Sequence, residues 1–113
     1  MRMDVERLRD ILEAIDKIHK YTDEGRKRFD ADELIRSWVL RHIEIIGEAA
    51  SRLSEDIRRS YPTIPWRNII GMRNALIHGY FDVDWNIVWG VVEKELQPLQ
   101  RAVSDIMAAE GWS

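Results

Sequence analysis

The apolar residues of this chain recur at intervals of three and four, and this spacing constrains the fold more than any other feature of the sequence. Residues three and four apart lie on one face of an α-helix, whereas a half-buried strand needs alternation at every second position. Helical spacing is the only regular pattern in the sequence. It predicts an all-α protein, an antiparallel bundle of four or five helices joined by short connections.

The first half of the chain contains two long helical patterns. The first covers residues 4–21, with Asp4 as the expected N-cap. The second covers residues 30–54, and Asp30 and Glu33 at its start have the spacing of a capping box. A short turn of helix is expected to follow over residues 55–60.

Two further helices are predicted in the second half of the chain. The third runs from about Trp66 to His78, where Gly79 is expected to stop it. The fourth covers residues 84–109. Pro98 lies inside this last pattern and should kink or split the helix, because proline lacks a backbone donor.

Length and composition narrow the class of protein. A chain of 113 residues is long enough for one domain, which we expect to cover residues 1–113. The absence of cysteine excludes a disulfide scaffold and any thiolate metal or redox site. The uncharged runs are too short to span a bilayer, and acidic residues occupy the place of a signal-peptide core. A cytoplasmic protein that does not enter the membrane is therefore expected.

Positive charge is concentrated in the middle third of the chain. The whole chain has a net charge of −3, yet residues 51–80 carry five arginines and only two acids. Arginine is well suited to forked contacts with phosphate, so Arg58, Arg59 and Arg67 are candidate contacts for the phosphates of a nucleic acid. The alternative is that these arginines form ordinary surface ion pairs.

Arg73 does not fit a plain core helix. On a continuous helix that starts near Trp66, it falls in the middle of the arc occupied by Ile69 and its apolar neighbours. An unpaired buried guanidinium costs several kcal/mol. Arg73 must therefore reach a carboxylate, extend its head into solvent, or line a cleft or subunit interface.

Asn74 and His78 are four residues apart and would stack on the other face of this helix. Asn74 could fix the tautomer of His78, which titrates in the range useful for acid–base chemistry. Arg73 could then neutralise a phosphate oxygen during transfer. The alternative is structural, with Arg73 paired to a buried acid and His78 capping the helix.

The remaining histidines do not predict a metal site. His42 lies on the apolar arc of the second helix and is interpreted as a hydrogen-bonded core residue. Neither it nor His19 has the spacing to a second ligand that zinc sites need. No metal and no cofactor are therefore expected.

Three stretches carry a combined motif. Residues 64–80 are IPWRNIIGMRNALIHGY, residues 42–50 are HIEIIGEAA, and YFDVDW follows from residue 80, leading into Ile87-Val88-Trp89. Arg-x4-His alone is a weak signal, but His-x-Tyr, the Pro-Trp pair and the chain length make it fairly specific. On these residues the chain resembles the HepT-like proteins of the HEPN superfamily over nearly its whole length.

The resemblance implies a HEPN-type bundle that forms a homodimer, with two Arg-x4-His motifs facing one cleft. It implies a ribonuclease that works without metal, with Arg73 and His78 as the catalytic pair and Asn74 as a supporting polar residue. The implied reaction is attack of a ribose 2′-hydroxyl on the adjacent phosphate, with RNA as the substrate.

The resemblance also implies a partner and a modification. Such proteins are toxins, silenced by a nucleotidyltransferase antitoxin that adds AMP to the tyrosine of His-x-Tyr, here Tyr80. Two other classes stay open from the residues themselves. One is a non-catalytic helical partner of a nucleotidyltransferase that binds a nucleotide or RNA, and the other is a purely structural dimerising bundle.

Overall fold

Eight helices make up the regular structure of residues 3–77 and 82–112, the part of the chain that this computed structural model describes. In chain order they are α1 Asp4–Thr22, α2 Arg26–Ala31, α3 Glu33–Ser51, α4 Glu55–Ser60, α5 Trp66–Ile70, α6 Met72–Leu76, α7 Trp85–Lys94 and α8 Leu96–Ala109. The described residues contain no strand, only an isolated antiparallel bridge between Ile77 and Val83. The prediction of an all-α bundle is confirmed.

The helices α3 and α8 both run antiparallel to α1. Ser54, just after α3, donates through its backbone N–H to a carboxylate oxygen of Asp4 at 2.9 Å, so the end of α3 meets the start of α1. Arg9 of α1 donates to the carbonyl of Trp112, beyond α8, at 3.5 Å. Gln100, near the start of α8, reaches Asp16 further along α1. The helix α1 therefore lies between α3 and α8.

The core lies along these contacts. In α1, Leu8, Ile11, Ile15 and Ile18 are fully buried, as the spacing of three and four predicts. Fully buried side chains of α3 and α8 belong to the same core: Val39, Ile43, Ile46, Leu96 and Val103. None of the helices among the described residues is both long enough and apolar enough to cross a membrane.

Two predicted N-caps were wrong, because each aspartate makes another contact. Asp4 is already the first residue of α1, and its carboxylate accepts hydrogen bonds from the backbone and the hydroxyl of Ser54. Asp30 lies inside α2 and pairs with Arg26 at 3.3 Å. The N-cap of α3 is Asp32, whose carboxylate accepts from two backbone N–H groups of the first turn.

The predicted third helix is divided and short. It breaks at Gly71 into α5 and α6, and α6 ends at Leu76. Glycine in a helix interior costs about 1 kcal/mol relative to alanine, so a break there is inexpensive. The angular positions expected for a continuous helix do not hold beyond Gly71. His78, the predicted helix end, and Gly79, the predicted stop, lie outside the described residues.

The predicted fourth helix is split, as Pro98 requires. The helix α7 ends at Lys94 and α8 starts at Leu96, so that Pro98 falls in the first turn of α8, where no backbone donor is needed. Asp84 is the N-cap of α7, because its carboxylate accepts from the backbone N–H groups of Asn86 and Ile87. The described residues form more than four or five helices for two reasons: the third and fourth predicted helices are each divided, and α2, which was not predicted, lies mostly in the connection before the second predicted helix.

Candidate active site

A glycine on α3 lets the end of α5 lie directly on that helix. A Cβ atom built at Gly47 would be 3.4 Å from the carbonyl oxygens of both Ile69 and Ile70. A side chain longer than that of alanine would therefore push α5 away. Glu44 lies three residues before Gly47, on the same side of α3. The close approach at Gly47 thus brings the start of α6 next to Glu44.

Arg73 of α6 forms an ion pair with this glutamate. Its Nε lies 3.4 Å from the Oε2 atom of Glu44, and the two side chains are 55% and 30% exposed. The terminal amino groups of Arg73 have no other partner among the described residues. Arg73 therefore reaches a carboxylate, one of the outcomes expected for it, but the pair is open to solvent rather than buried.

Arg73 also lines a cleft, which was another of the outcomes expected for it. We call this cleft the charged groove; it has a volume of about 480 Å³ and is formed by α1, α3 and α6. Three arginines and three acids line it, Arg7, Arg41, Arg73, Asp10, Glu44 and Glu48, together with the apolar Ile45 and Ala49. A charged groove of this kind can hold water and an anionic chain.

A second groove lies on the other side of α6. This apolar groove has a volume of about 720 Å³ and is lined mainly by aliphatic side chains of α5 to α8. Gly71 and Ala75 of this region contribute to it, together with Ile87, which is 42% exposed. These small and apolar residues therefore border a surface that is open to another molecule.

The other predicted RNA contacts lie apart from Arg73. Arg59 is exposed and pairs with Glu55 one turn earlier in α4, which fits the surface-pair alternative. Arg67 is exposed and lines the apolar groove. Arg58 of α4 is half-buried and lines neither groove. The structure does not bring these three arginines together with Arg73.

Asn74 is exposed on α6, and its side chain forms no hydrogen bond with any described residue. Its predicted partner His78 and the predicted modification site Tyr80 lie outside the described residues. The residues on either side of this segment are paired, because Ile77 and Val83 form an antiparallel bridge. The backbone N–H of Asp84 also donates to the carbonyl of Leu76 at 2.9 Å. Ile77, Val83 and Asp84, which flank positions 78–81 in the sequence, are therefore held together at the end of α6.

Arg73 is the only residue of the charged groove that was singled out from the sequence as a candidate site residue. Arg41, Glu44 and Glu48 share one charged arc of α3, which on its own is typical of a solvated helix face, and this arc forms a wall of the groove. The common position of these three residues on one arc of the helix was the sequence feature that could have indicated the groove. Nothing in the sequence indicated that Arg7 of α1 would face the same space, because this depends on how α1 packs on α3.

His42 behaves as predicted, as a satisfied core residue. It is 6% exposed, and its Nδ1 lies 2.7 Å from the carbonyl oxygen of Trp38. Within residues 3–77 and 82–112, no three histidine, aspartate or glutamate side chains come close enough together to hold a metal ion.

Comparison with known proteins places these features in a family. The model of the family described as "Ribonuclease HepT-like" matches residues 11–106. The chain is 36% identical over 97 residues to "Putative RNase MJ1380" of Methanocaldococcus jannaschii, covering 85% of this chain and 89% of that protein. It is 40% identical over 94 residues to "Probable ribonuclease HepT" of Thermococcus cleftensis, covering 82% and 86% of the two chains. No solved structure matches the chain.

Proposed function

Since the chain belongs to the HepT-like ribonuclease family, we propose that it is the ribonuclease toxin of a toxin–antitoxin pair and cleaves RNA through Arg73 and His78 without a metal ion. The observation that carries this proposal is the position of Arg73. Its side chain is more than half exposed on the wall of the charged groove, and its Nε is held by Glu44. The two terminal amino groups of the guanidinium are left to bind a phosphate.

The proposed reaction is an internal transfer at phosphorus. The ribose 2′-oxygen forms a bond to the adjacent phosphorus while the bond from phosphorus to the 5′-oxygen breaks. One His78 accepts the proton of the 2′-hydroxyl, and the protonated His78 of a second copy donates a proton to the departing 5′-oxygen. Histidine suits both roles because it exchanges protons near neutral pH.

Arg73 stabilises the charge that develops on the phosphoryl oxygens. A single preorganised donor of this kind contributes about 10²- to 10³-fold to a rate. A guanidinium fork matches two oxygens of a phosphate in one plane. Asn74, the next residue and exposed on the same helix, supports His78 in this proposal.

The reaction as proposed needs two copies of the chain. Support for a homodimer comes from the apolar groove, which is partly open and has the exposed Ile87 on its wall. Apolar surface of this kind is commonly covered by a partner. The helix α6 borders both grooves, so a second copy seated on the apolar groove would lie beside the helix that carries Arg73.

Regulation is proposed to act on Tyr80, two residues after His78 in the sequence. AMP added to its hydroxyl by a nucleotidyltransferase antitoxin would introduce an anionic phosphate that repels RNA. Co-expression with the antitoxin should add AMP to the toxin, as seen by intact mass. Tyr80→Phe should abolish the addition and Tyr21→Phe should not, whereas AMP found on Tyr21 would contradict the assignment.

One observation favours a second candidate, a non-catalytic partner of the nucleotidyltransferase. The ion pair with Glu44 neutralises Arg73, as a purely structural arginine would be neutralised. In that case the charged groove binds a nucleotide or RNA without cleaving it.

Cleavage assays separate the two candidates. Purified protein is incubated with labelled messenger, transfer and ribosomal RNA in the presence of a chelator. Wild type should cleave at least one of them, Arg73→Gln should be slower by about 10²- to 10³-fold, and His78→Ala should be inactive. His19→Ala, another histidine substitution, is the matched control and should keep wild-type activity. Binding without cleavage by the wild type would favour the second candidate.

A further inference from the structure

The charged groove holds equal numbers of arginines and acids, but its acids are already engaged. Glu44 is paired with Arg73. Glu48 is paired with Arg52, which lies outside the groove, with both Nε and a terminal nitrogen of Arg52 2.9 Å from its Oε1 atom. Asp10 also takes part in an interaction and is not a free carboxylate. None of the three acids of the groove is therefore without a partner.

Two of its arginines are in the opposite situation. Arg7 of α1 is half-buried and Arg41 of α3 is exposed, and neither side chain forms an ion pair or hydrogen bond with any residue that the structure describes. Each guanidinium has five N–H donors and a permanent positive charge. The groove therefore offers a ligand two guanidinium groups that have no partner among the described residues, whereas each of its acids is engaged.

We infer that Arg7 and Arg41 bind RNA phosphates next to the phosphate held by Arg73, so that the substrate strand follows the groove across α1 and α3. This inference rests on the proposed function and extends it to the path of the substrate. Guanidinium groups are well suited to this role because their fork matches two phosphate oxygens. Contacts of this type fix the position of the strand without selecting its sequence.

This path differs from the one that the charge distribution of the sequence indicates. Of the basic residues predicted there, Arg59 is neutralised by Glu55, and Arg67 lines the other groove. Neither lies with Arg73, whereas Arg7 and Arg41 share its groove. The basic middle third of the chain therefore contributes Arg73, and the acidic first half contributes the other two phosphate contacts.

The test measures binding separately from cleavage. A fluorescein-labelled RNA of mixed sequence with 2′-O-methyl groups throughout cannot react, because it lacks the attacking hydroxyl. Its affinity is measured by fluorescence anisotropy over a series of salt concentrations. Each phosphate contact on a single strand contributes about 0.7 to the slope of log K against log salt. Arg7→Gln and Arg41→Gln should each reduce the steepness by about 0.7, and the double variant by about 1.4.

A matched control removes the same charge elsewhere. Arg101 of α8 is exposed, lines neither groove and forms no ion pair with the described residues. Arg101→Gln should leave the slope at its wild-type value. Arg7→Lys and Arg41→Lys keep the positive charge and should restore most of the slope. Circular dichroism checks that each variant is folded.

The outcomes distinguish this inference from the proposed function. If wild type cleaves RNA but the slopes of Arg7→Gln and Arg41→Gln match that of Arg101→Gln, the phosphate contacts are wrong and the ribonuclease proposal stands. If the wild type neither binds nor cleaves RNA, both are wrong. Reduced slopes together with cleavage by the wild type support both.

Discussion

Glu44 holds Arg73 by its Nε atom across the contact between α3 and α6, at a distance of 3.4 Å. A carboxylate in this position has two opposing effects on a substrate phosphate. It fixes the direction of the guanidinium, which favours the reaction, and it weakens the local positive field, which disfavours binding. Glu44 is therefore expected to be a positioning residue.

Glu44→Gln should separate these two effects. We expect kcat to fall by about tenfold, less than the ~100-fold that a 1 Å misplacement can cost. We expect KM to fall about two- to fivefold, because an exposed charge pair is worth roughly 0.2–1 kcal/mol. Steady-state kinetics on a cleavable RNA measure both. Unchanged kcat and KM would show that Glu44 does not position Arg73, and Glu13→Gln, whose pair with Lys17 is exposed on α1, is the matched control.

Gly47 is expected to control the same geometry from one turn away. Gly47→Ala should be tolerated, since its Cβ would sit 3.4 Å from two carbonyl oxygens, an ordinary contact. Gly47→Leu should destabilise the protein by about 1–3 kcal/mol through overpacking. It should also slow RNA cleavage at temperatures where it is fully folded, because α5 and α6 must move away from α3. Urea unfolding and cleavage rates test this, and a folded Gly47→Leu enzyme with wild-type activity would contradict it.

The existence and approximate place of most helices could be predicted from the sequence, since the spacing of apolar residues records which face is buried. The breaks inside helices were harder to place. Pro98 gives a clear signal because it lacks a donor, and Gly71 gives a weak one, since a helix can include glycine at a small cost. The division between α2 and α3 depends on which of two nearby aspartates turns towards free backbone donors, and local sequence does not decide this.

Only part of the candidate site could be predicted, because local sequence shows the residues of one helix but not the contacts between helices. Arg73 could be identified as a misfit because one helix pattern was enough to show an arginine among apolar residues. Its partner Glu44 and the groove residues Arg7 and Arg41 come from other helices. Their proximity depends on tertiary packing, in particular on the close approach at Gly47. The roles of His78 and Tyr80 stay predictions, because both residues lie outside the described residues.

Asp32 and Asp30 offer a test of the corrected N-cap. Asp32→Ala removes the acceptor of two backbone N–H groups of α3 and should cost about 1 kcal/mol, within the range of 0.5–2 kcal/mol for such caps. Asp30→Ala removes an exposed pair with Arg26 and should cost less than about 0.5 kcal/mol. Urea unfolding gives both values. If Asp30→Ala lowers the free energy of unfolding more than Asp32→Ala does, then Asp30 is the N-cap, as the sequence predicted.

The homodimer can be tested with two exposed aliphatic residues. Ile87 is 42% exposed on the apolar groove, and Leu34 is 77% exposed and lines neither groove. Wild type should be a dimer by light scattering, and Ile87→Glu should shift it towards monomer, because a carboxylate buried at an apolar interface is costly. Leu34→Glu should remain a dimer. If the wild type is a monomer, the homodimer proposal is wrong. If the Ile87→Glu variant is still a dimer, the apolar groove is not the dimer interface.

Tyr61 should titrate at a pH above that of an ordinary tyrosine. Its hydroxyl donates to the Oε2 atom of Glu110 at 2.8 Å. This hydrogen bond, with smaller effects of burial and of the negative charge of Glu110, raises the pKa of Tyr61 above its usual value of 10.0. Each of these causes favours the neutral phenol in the folded state.

The sign of the effect on stability follows from this direction. A raised pKa means that the folded protein holds the proton more tightly than the unfolded chain does, so the stabilisation is complete below pH 10 and is lost as the pH rises through the folded-state pKa. Glu110→Ala should therefore lower the free energy of unfolding at neutral pH and make less difference in strong alkali. Tyrosinate absorbance, with Tyr61→Phe subtracted, should show the pKa of Tyr61 returning towards 10.0 in this variant. If Tyr61 titrates identically in the wild type and in Glu110→Ala, the hydrogen bond to Glu110 does not hold the hydroxyl proton of Tyr61 in solution.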